Sequence, residues 1–252
     1  MNAYESAYAL WAKKRGLIPS EIKENWAIRF GKAFEEPILR LWQEEHPEWD
    51  LFVTGTYQDE HCAYRHANPD ALARHKETGE WMIIEVKTAR NSWDEVPPAY
   101  IAQVLHYMGV MKVTRGVIVA LAGMTWNEYE VPFNADMIET QNTAIDNFWD
   151  CIQTERKPAW DGSESTYNAV RIQNPLIEEV EVELGELGYE LLDAQTAVDQ
   201  ATYKLNLLKS MVLDNMGLAK WATVSDQGQT RRVASRQIRA GNPSLIINKK
   251  GI

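Results

Sequence analysis

Cysteine is scarce in this chain: Cys62 and Cys151 are the two among 252 residues. That is too few for an iron–sulfur cluster or a zinc site built on thiolates. Both read as ordinary buried thiols of a reducing compartment, where a disulfide would be unusual. Long apolar runs are missing as well. No stretch of eighteen apolar residues occurs, which argues against a membrane-spanning helix, and Met1 to Gly16 is mixed polar and aromatic rather than signal-like. The expectation is a cytoplasmic protein with no membrane partner. Positive charge is also short, with a formal net charge of −10, which at first sight speaks against nucleic acid, because phosphate contacts come from Lys and Arg. The distribution weakens that objection. Six glutamates and no basic residue fall between Glu178 and Glu190, whereas seven Lys or Arg stand against the single Asp226 from Lys220 onward.

What is present starts with size. At 252 residues and 45% hydrophobic content, the chain can bury one substantial core with an appendage. Tyr4 to Arg15 reads as a first helix closed by Gly16. Ser20 is placed to cap a second, with Ile22, Trp26, Phe30, Phe34 and Leu41 near helical spacing and Pro37 expected to kink or break it. Glu35 and Glu36 there form a solvated face, or one of them turns inward. Gly31 costs helix stability, which suggests close approach by another backbone or a phosphate, with Lys32 beside it.

Leu51 to Thr56 and Cys62 to His66 read as strands leading to a hairpin. The run Trp81-Met82-Ile83-Ile84-Glu85-Val86-Lys87 has the character of a buried strand, and alternation puts Glu85 and Lys87 on one face. His75 to Glu80 carries a Gly after polar residues, so Pro69 to Ala73 reads as the partner strand. That pairing sets Asp70 opposite Glu85. Two carboxylates this close repel unless a cation or proton lies between them, and hard oxygen ligands suit magnesium, with manganese as a substitute. Lys87 would then orient a water or offset charge on phosphorus. The plain alternative is an exposed hairpin with a surface salt bridge.

After the strand, Asn91 to Pro98 is a loop of the length that borders sites, with Ser92 in it. On the helix Ala99 to Lys112, Gln103, His106 and Tyr107 share a face at i, i+3 and i+4. They hold a water or phosphate, or else they are a satisfied core Tyr and His beside an exposed Gln. Arg115 to Leu121 and Trp126 to Val131 read as strands around Gly123, and Asn134 to Arg156 as an amphipathic helix. The order gives a mixed sheet flanked by helices.

Gly31-Lys32-Ala33-Phe34-Glu35, Asn68-Pro69-Asp70, Glu85-Val86-Lys87-Thr88, Gln103-Val104-Leu105-His106-Tyr107 and Trp160-Asp161-Gly162-Ser163-Glu164 resemble the successive motifs of the YqaJ-type viral recombinases. These are phage alkaline exonucleases of the lambda-exonuclease type, within the PD-(D/E)XK nuclease superfamily. The resemblance covers roughly Tyr4 to Pro175 and implies an α/β, restriction-endonuclease-like core over 1–175. It further implies a magnesium-dependent exonuclease that degrades one strand of duplex DNA from its 5′ end and leaves 3′ overhangs for recombination. Carried over by position, Asp70 and Glu85 resemble the metal-binding carboxylates, with the Val86 carbonyl and the upstream Glu35 as further ligands. Lys87 resembles the catalytic lysine, and Gln103 with Tyr107 the motif that supports the site. The family's opening Gly-Gly-Ser-Asp segment is lacking here, and Leu105 stands where a second Gln is common. By analogy the resemblance also implies a ring-like trimer, a single-strand annealing protein as partner, and a phage or prophage gene acting in the bacterial cytoplasm.

Ile177, Val180, Leu184, Leu187, Leu191, Ala194, Val198, Ala201, Leu205, Leu208 and Val212 keep a 3-4 spacing, so 176–215 reads as a long helix with a coiled-coil-like seam, weakened by Gly185 and Gly188. That helix packs along its own domain or self-associates. In the segment 216–252, Lys220 to Val233 reads as a hairpin turning at Asp226-Gln227-Gly228, and the basic end with Arg231, Arg232, Arg236 and Arg239 touches DNA or is a solvated tail. Two rival functions stand beside the exonuclease: a non-catalytic DNA-binding or assembly module, and a structure-specific or restriction-type endonuclease on the same core.

Overall fold

The structure, a computed structural model, describes residues 5–20, 24–226, 228–239 and 241–248. The chain divides into two compact units, 1–177 and 178–252. Tyr4, Ile22 and Gln227, used in the sequence reading, lie outside the described residues.

The first unit opens with α1 (Ala7–Lys14), whose N-terminus is capped by Ser6 Oγ, and α2 (Trp26–Glu45), capped by Asn25 rather than by Ser20. Pro37 does not break α2, which runs on through it. Pro37 leaves the Ala33 carbonyl without its helical donor, but Ala33 is exposed, so water can take that carbonyl. Five strands, β1 (Trp49–Val53), β2 (Tyr57–Gln58), β3 (His66–Ala67), β4 (Ala71–His75) and β5 (Trp81–Ala89), precede α3 (Pro98–Met111). β6 (Arg115–Ala122), β7 (Thr125–Val131), α4 (Ala135–Gln153) and α5 (Glu164–Gln173) complete the unit. The strand expected over Cys62 to His66 is mostly a turn instead. The Asp59 carboxylate accepts from the amides of His61 and Cys62 at 2.9 and 3.0 Å, and such a side-chain turn outcompetes a ladder. Cys62 is accordingly half-buried, while Cys151 is buried as expected.

The main sheet has the order β1-β4-β5-β6-β7, antiparallel except for the parallel β5–β6 pair that α3 connects. Alternation along β5 sends Ile84 and Val86 into a core with Ile38, Leu39 and Trp42 of α2, and Ile83 into a second core with Val104, Leu105 and Met108 of α3. Fully burying each such aliphatic side chain is worth about 1.5–3 kcal/mol. A third cluster joins Tyr8, Trp11 and Ala12 of α1 to Cys151 and Ala169. This is a mixed α/β core, with the sheet held between helices.

The second unit holds α6 (Glu186–Met216) and a three-stranded antiparallel sheet ordered β10-β9-β8, from β8 (Trp221–Asp226), β9 (Gln229–Arg239) and β10 (Asn242–Ile247). The helix begins after Gly185, at φ +57°, and not at Ile177. Glu179 and Glu183 would repel at i, i+4 in a helix, and Glu178 and Glu181 at i, i+3. The expected hairpin is present and gains a third strand, β10. Among the described residues no helix is long and apolar enough to cross a membrane.

Candidate active site

β5 outruns its hairpin partner. Pairing with β4 stops at Ala71↔Ile84, whereas pairing with β6 continues to Ala89. Beyond Ile84 the free edge of β5 needs another acceptor, and Asp70 supplies it: its Oδ2 accepts from the Val86 amide at 2.7 Å. The preceding Pro69 is fixed in turn by Thr54, whose hydroxyl donates to its carbonyl at 2.7 Å. Extending the register by one step places Asp70 across from Glu85, as the hairpin reading expects.

Glu85 is 2% exposed. Its Oε1 accepts from the Lys87 ammonium, and from the Gln103 amide at 2.8 Å. The same Gln103 nitrogen donates to the Tyr107 hydroxyl oxygen at 2.8 Å. The other oxygen, Oε2, is buried without a protein partner. Burial, with the negative charges of Asp70 and Glu35 adding and Lys87 opposing, pushes the Glu85 carboxyl up to about 7. Asp70 is raised chiefly by burial, against the Val86 amide and Lys87, which lower it. Glu35 is the glutamate of α2 that turns inward, its carboxyl raised by burial and then by Asp70, while Glu36 stays exposed. Burial also raises the Tyr107 phenol.

A cleft of about 630 Å³ opens at this end of β5, lined by Glu35, Asp70, Val86, Lys87, Thr88 and Tyr100 among others. Asn25, which caps α2, and Ala27, Ile28 and Gly31 of that helix form one wall. A Cβ on Gly31 would meet Thr88 Oγ1 at 3.6 Å, so α2 lies in ordinary contact with the strand there. Lys87 Nζ lies 5.0 Å from the Tyr100 ring centre, a cation–π distance. Tyr100 has no place in the sequence reading, although Tyr100, Gln103 and Tyr107 share a helix face at i, i+3 and i+7.

The remaining expected residues make other contacts. Lys32 is exposed and paired with Glu24 at 3.1 Å. Ser92 sits exposed in the loop after β5, its amide close over Gly123. His106 Nε2 is 3.0 Å from the His66 carbonyl, which ties α3 to the β2–β3 ribbon. Arg231 and Arg232 are on β9 of the second unit, Arg232 stacked 4.4 Å over Trp221.

Among the described residues no three His, Cys, Asp or Glu side chains close up to hold a metal unaided. The donors present still fit magnesium, which takes one or two carboxylates and completes its shell with water and phosphate oxygens. The unpartnered Oε2 of Glu85 is the observation that favours the fit, since a buried carboxylate oxygen with no partner calls for a ligand.

Residues 1–116 match the YqaJ-like viral recombinase domain. This bears out the resemblance read from the motifs, and Asp70, Glu85, Lys87, Gln103 and Tyr107 all fall inside the YqaJ-like stretch. The uncharacterized protein YqaJ of Bacillus subtilis (strain 168) is 26% identical over 188 residues, which is 65% of this chain and 53% of that protein. The chain thus spans about half the length of that relative. Among solved structures, LHK-Exo in complex with dAMP has a TM-score of 0.46 at 17% identity, covering 59% of this chain and 92% of that one. The structure of the same alkaline exonuclease from Laribacter hongkongensis gives 0.45 at 16% identity with the same coverage.

Proposed function

We propose that this chain is a magnesium-dependent exonuclease that degrades one strand of linear double-stranded DNA from its 5′ end, leaving 3′ overhangs for phage-type homologous recombination. The observation that carries the reading is the buried Glu85 carboxylate, with one oxygen unpartnered, set across the hairpin from Asp70 and beside Lys87. It lies inside the stretch that matches a viral recombinase domain. The 5′ polarity follows from the resemblance alone.

Asp70 and Glu85 would hold the metal, with the Val86 carbonyl and Glu35 as neighbouring oxygens. Magnesium bound there would polarise the scissile phosphate and lower the pKa of a water that attacks in line. Glu85 must be ionised for this, and Lys87 and Gln103 favour and orient the ionised form by donating to Oε1. Lys87 also borders the cleft, so its fixed charge offsets the negative charge that develops on the phosphate oxygens. These groups read phosphate rather than base edges, so sequence preference should be weak.

An acidic chain holds a duplex poorly as a monomer, and a ring of copies would reconcile the charge with the substrate. Leu187, Leu191, Val198, Leu205 and Leu208 of α6 are exposed and offer one surface for self-association. Light scattering on the full chain tests this, and a monomeric mass at working concentration would reject it. A single-strand annealing protein is the partner in the reading, and the bacterial cytoplasm its compartment.

The function is tested with linear duplex labelled at either the 5′ or the 3′ end, in magnesium, manganese or EDTA. Metal-dependent release of 5′-terminal nucleotides is expected, together with no cutting of closed circular duplex. Cutting of the circle would make the chain an endonuclease. Intact linear DNA under every metal would favour a binding module.

A further inference from the structure

α2 carries a row of aromatic side chains that its own fold leaves uncovered. Trp26, Phe30 and Phe34 recur every four residues, so they form one stripe, and they are 74, 40 and 38% exposed. The Phe30 and Phe34 rings stack with centres 4.2 Å apart. The Arg29 guanidinium lies 5.5 Å over the Trp26 ring. Large aromatics in water forgo the burial that usually justifies them, so a ligand surface is the economical explanation.

Position argues for what that ligand is. Ala27, in the wall of the acidic cleft, is three residues from Phe30 and seven from Phe34, so the stripe borders the cleft on the same helix. Phe30 and Phe34 close on each other at 4.2 Å, so what they offer a ligand is the outer faces of the pair and not a slot between rings. Exposed ring faces suit bases drawn out of the stack, since bases inside an intact duplex are already covered by their neighbours. Arg29 adds a positive charge beside a ring, which matches a ligand that alternates flat bases with phosphates. The exposed helix of a second copy would not require it.

We propose that Trp26, Phe30 and Phe34 form a stacking platform for unpaired bases of the DNA strand whose phosphodiester lies in the cleft. The proposal rests on the nuclease reading for the identity of that strand. The platform holds single-stranded DNA next to the acids, through base faces rather than base edges, and is therefore indifferent to sequence.

The test measures binding of the full chain, in EDTA, to a fluorescent single-stranded oligonucleotide and to an abasic strand of the same length. Wild type is expected to favour the base-bearing strand about tenfold or more. Trp26→Ala and Phe30→Ala are each expected to weaken that binding at least about fivefold while leaving abasic binding unchanged. Trp26→Phe should restore most of the loss, which separates stacking from misfolding, and Leu41→Ala, further along α2, should change nothing. Equal binding of both strands by wild type, or base preference that survives Trp26→Ala and Phe30→Ala together, would overturn the platform. So would a fall in oligomer mass on those substitutions with base preference intact, because a second copy would then be the occupant. Digestion of linear duplex in magnesium is scored separately. A wild type that digests DNA but fails the binding comparison loses the platform and keeps the nuclease reading, while one that digests nothing loses the nuclease reading and still has its platform decided by binding.

Discussion

The Gln103 amide nitrogen sits 2.8 Å from Glu85 Oε1 and 2.8 Å from the Tyr107 hydroxyl. Both of its hydrogens are therefore committed, one to the acid on β5 and one to a neighbour on its own helix. In the proposed site Gln103 would be a positioning residue, its bond to Oε1 fixing which way Glu85 faces.

Removing that support should weaken metal use before it abolishes chemistry. Gln103→Ala is expected to raise the magnesium concentration for half-maximal digestion by about 10–100-fold, the usual effect of losing a group that orients a ligand. The maximal rate should change less. A magnesium titration of the digestion rate checks this, and an unchanged midpoint would count against the role.

Lys87→Ala should behave differently. Its charge borders the cleft that would take the phosphate, so the loss is expected in the rate at saturating magnesium, by roughly 10²–10³-fold, with the fold retained. Circular dichroism and a single-turnover assay separate the two.

Glu85 makes stability depend on pH in the metal-free protein. Its carboxyl is raised from an ordinary 4.5 to about 7 in the fold, first by burial. The native state thus holds this proton more tightly than the unfolded chain does. Its contribution is complete below about pH 4.5 and is lost as pH rises through 7, an effect on the order of 3 kcal/mol. Thermal unfolding in EDTA should show wild type losing stability between pH 5 and 8 relative to Glu85→Gln, whose curve should be flatter. Parallel curves would mean that the acid is already ionised in the fold.

Gly116 on β6 tests how tightly α3 is seated. A Cβ there would come within 2.5 Å of Val104 Cγ1 and 2.8 Å of the Met108 methyl. Gly116→Ala should therefore cost about 1–3 kcal/mol through overpacking, seen as a lower denaturation midpoint. No loss would mean that both side chains have room to turn away.

Much of the site is legible in the sequence because its period is simple. Two-residue alternation alone puts Glu85 and Lys87 on one face, and the turn residues at 75–80 fix the strand that brings Asp70 across. Glu35 needs the packing of α2 to be distinguished from Glu36. Tyr100 escapes notice because an aromatic near a helix start looks like core until Lys87 is seen beside it. The heptad spacing runs smoothly through Gly185 and hides the true start of α6, which the positive φ of that glycine decides. β10 is hidden by Pro243, tolerable only because the strand lies at the sheet edge.

The parallel joint between β5 and β6 has a consequence in time. The β4–β5 hairpin closes over a short local turn, so Asp70 meets Glu85 early. A parallel neighbour must wait for the whole crossover through α3, and until it docks Gln103, Tyr107 and Tyr100 are not in place. A nascent chain would thus carry its two acids before it carries the helix that aims them, and the candidate site would be assembled only when the sheet is complete.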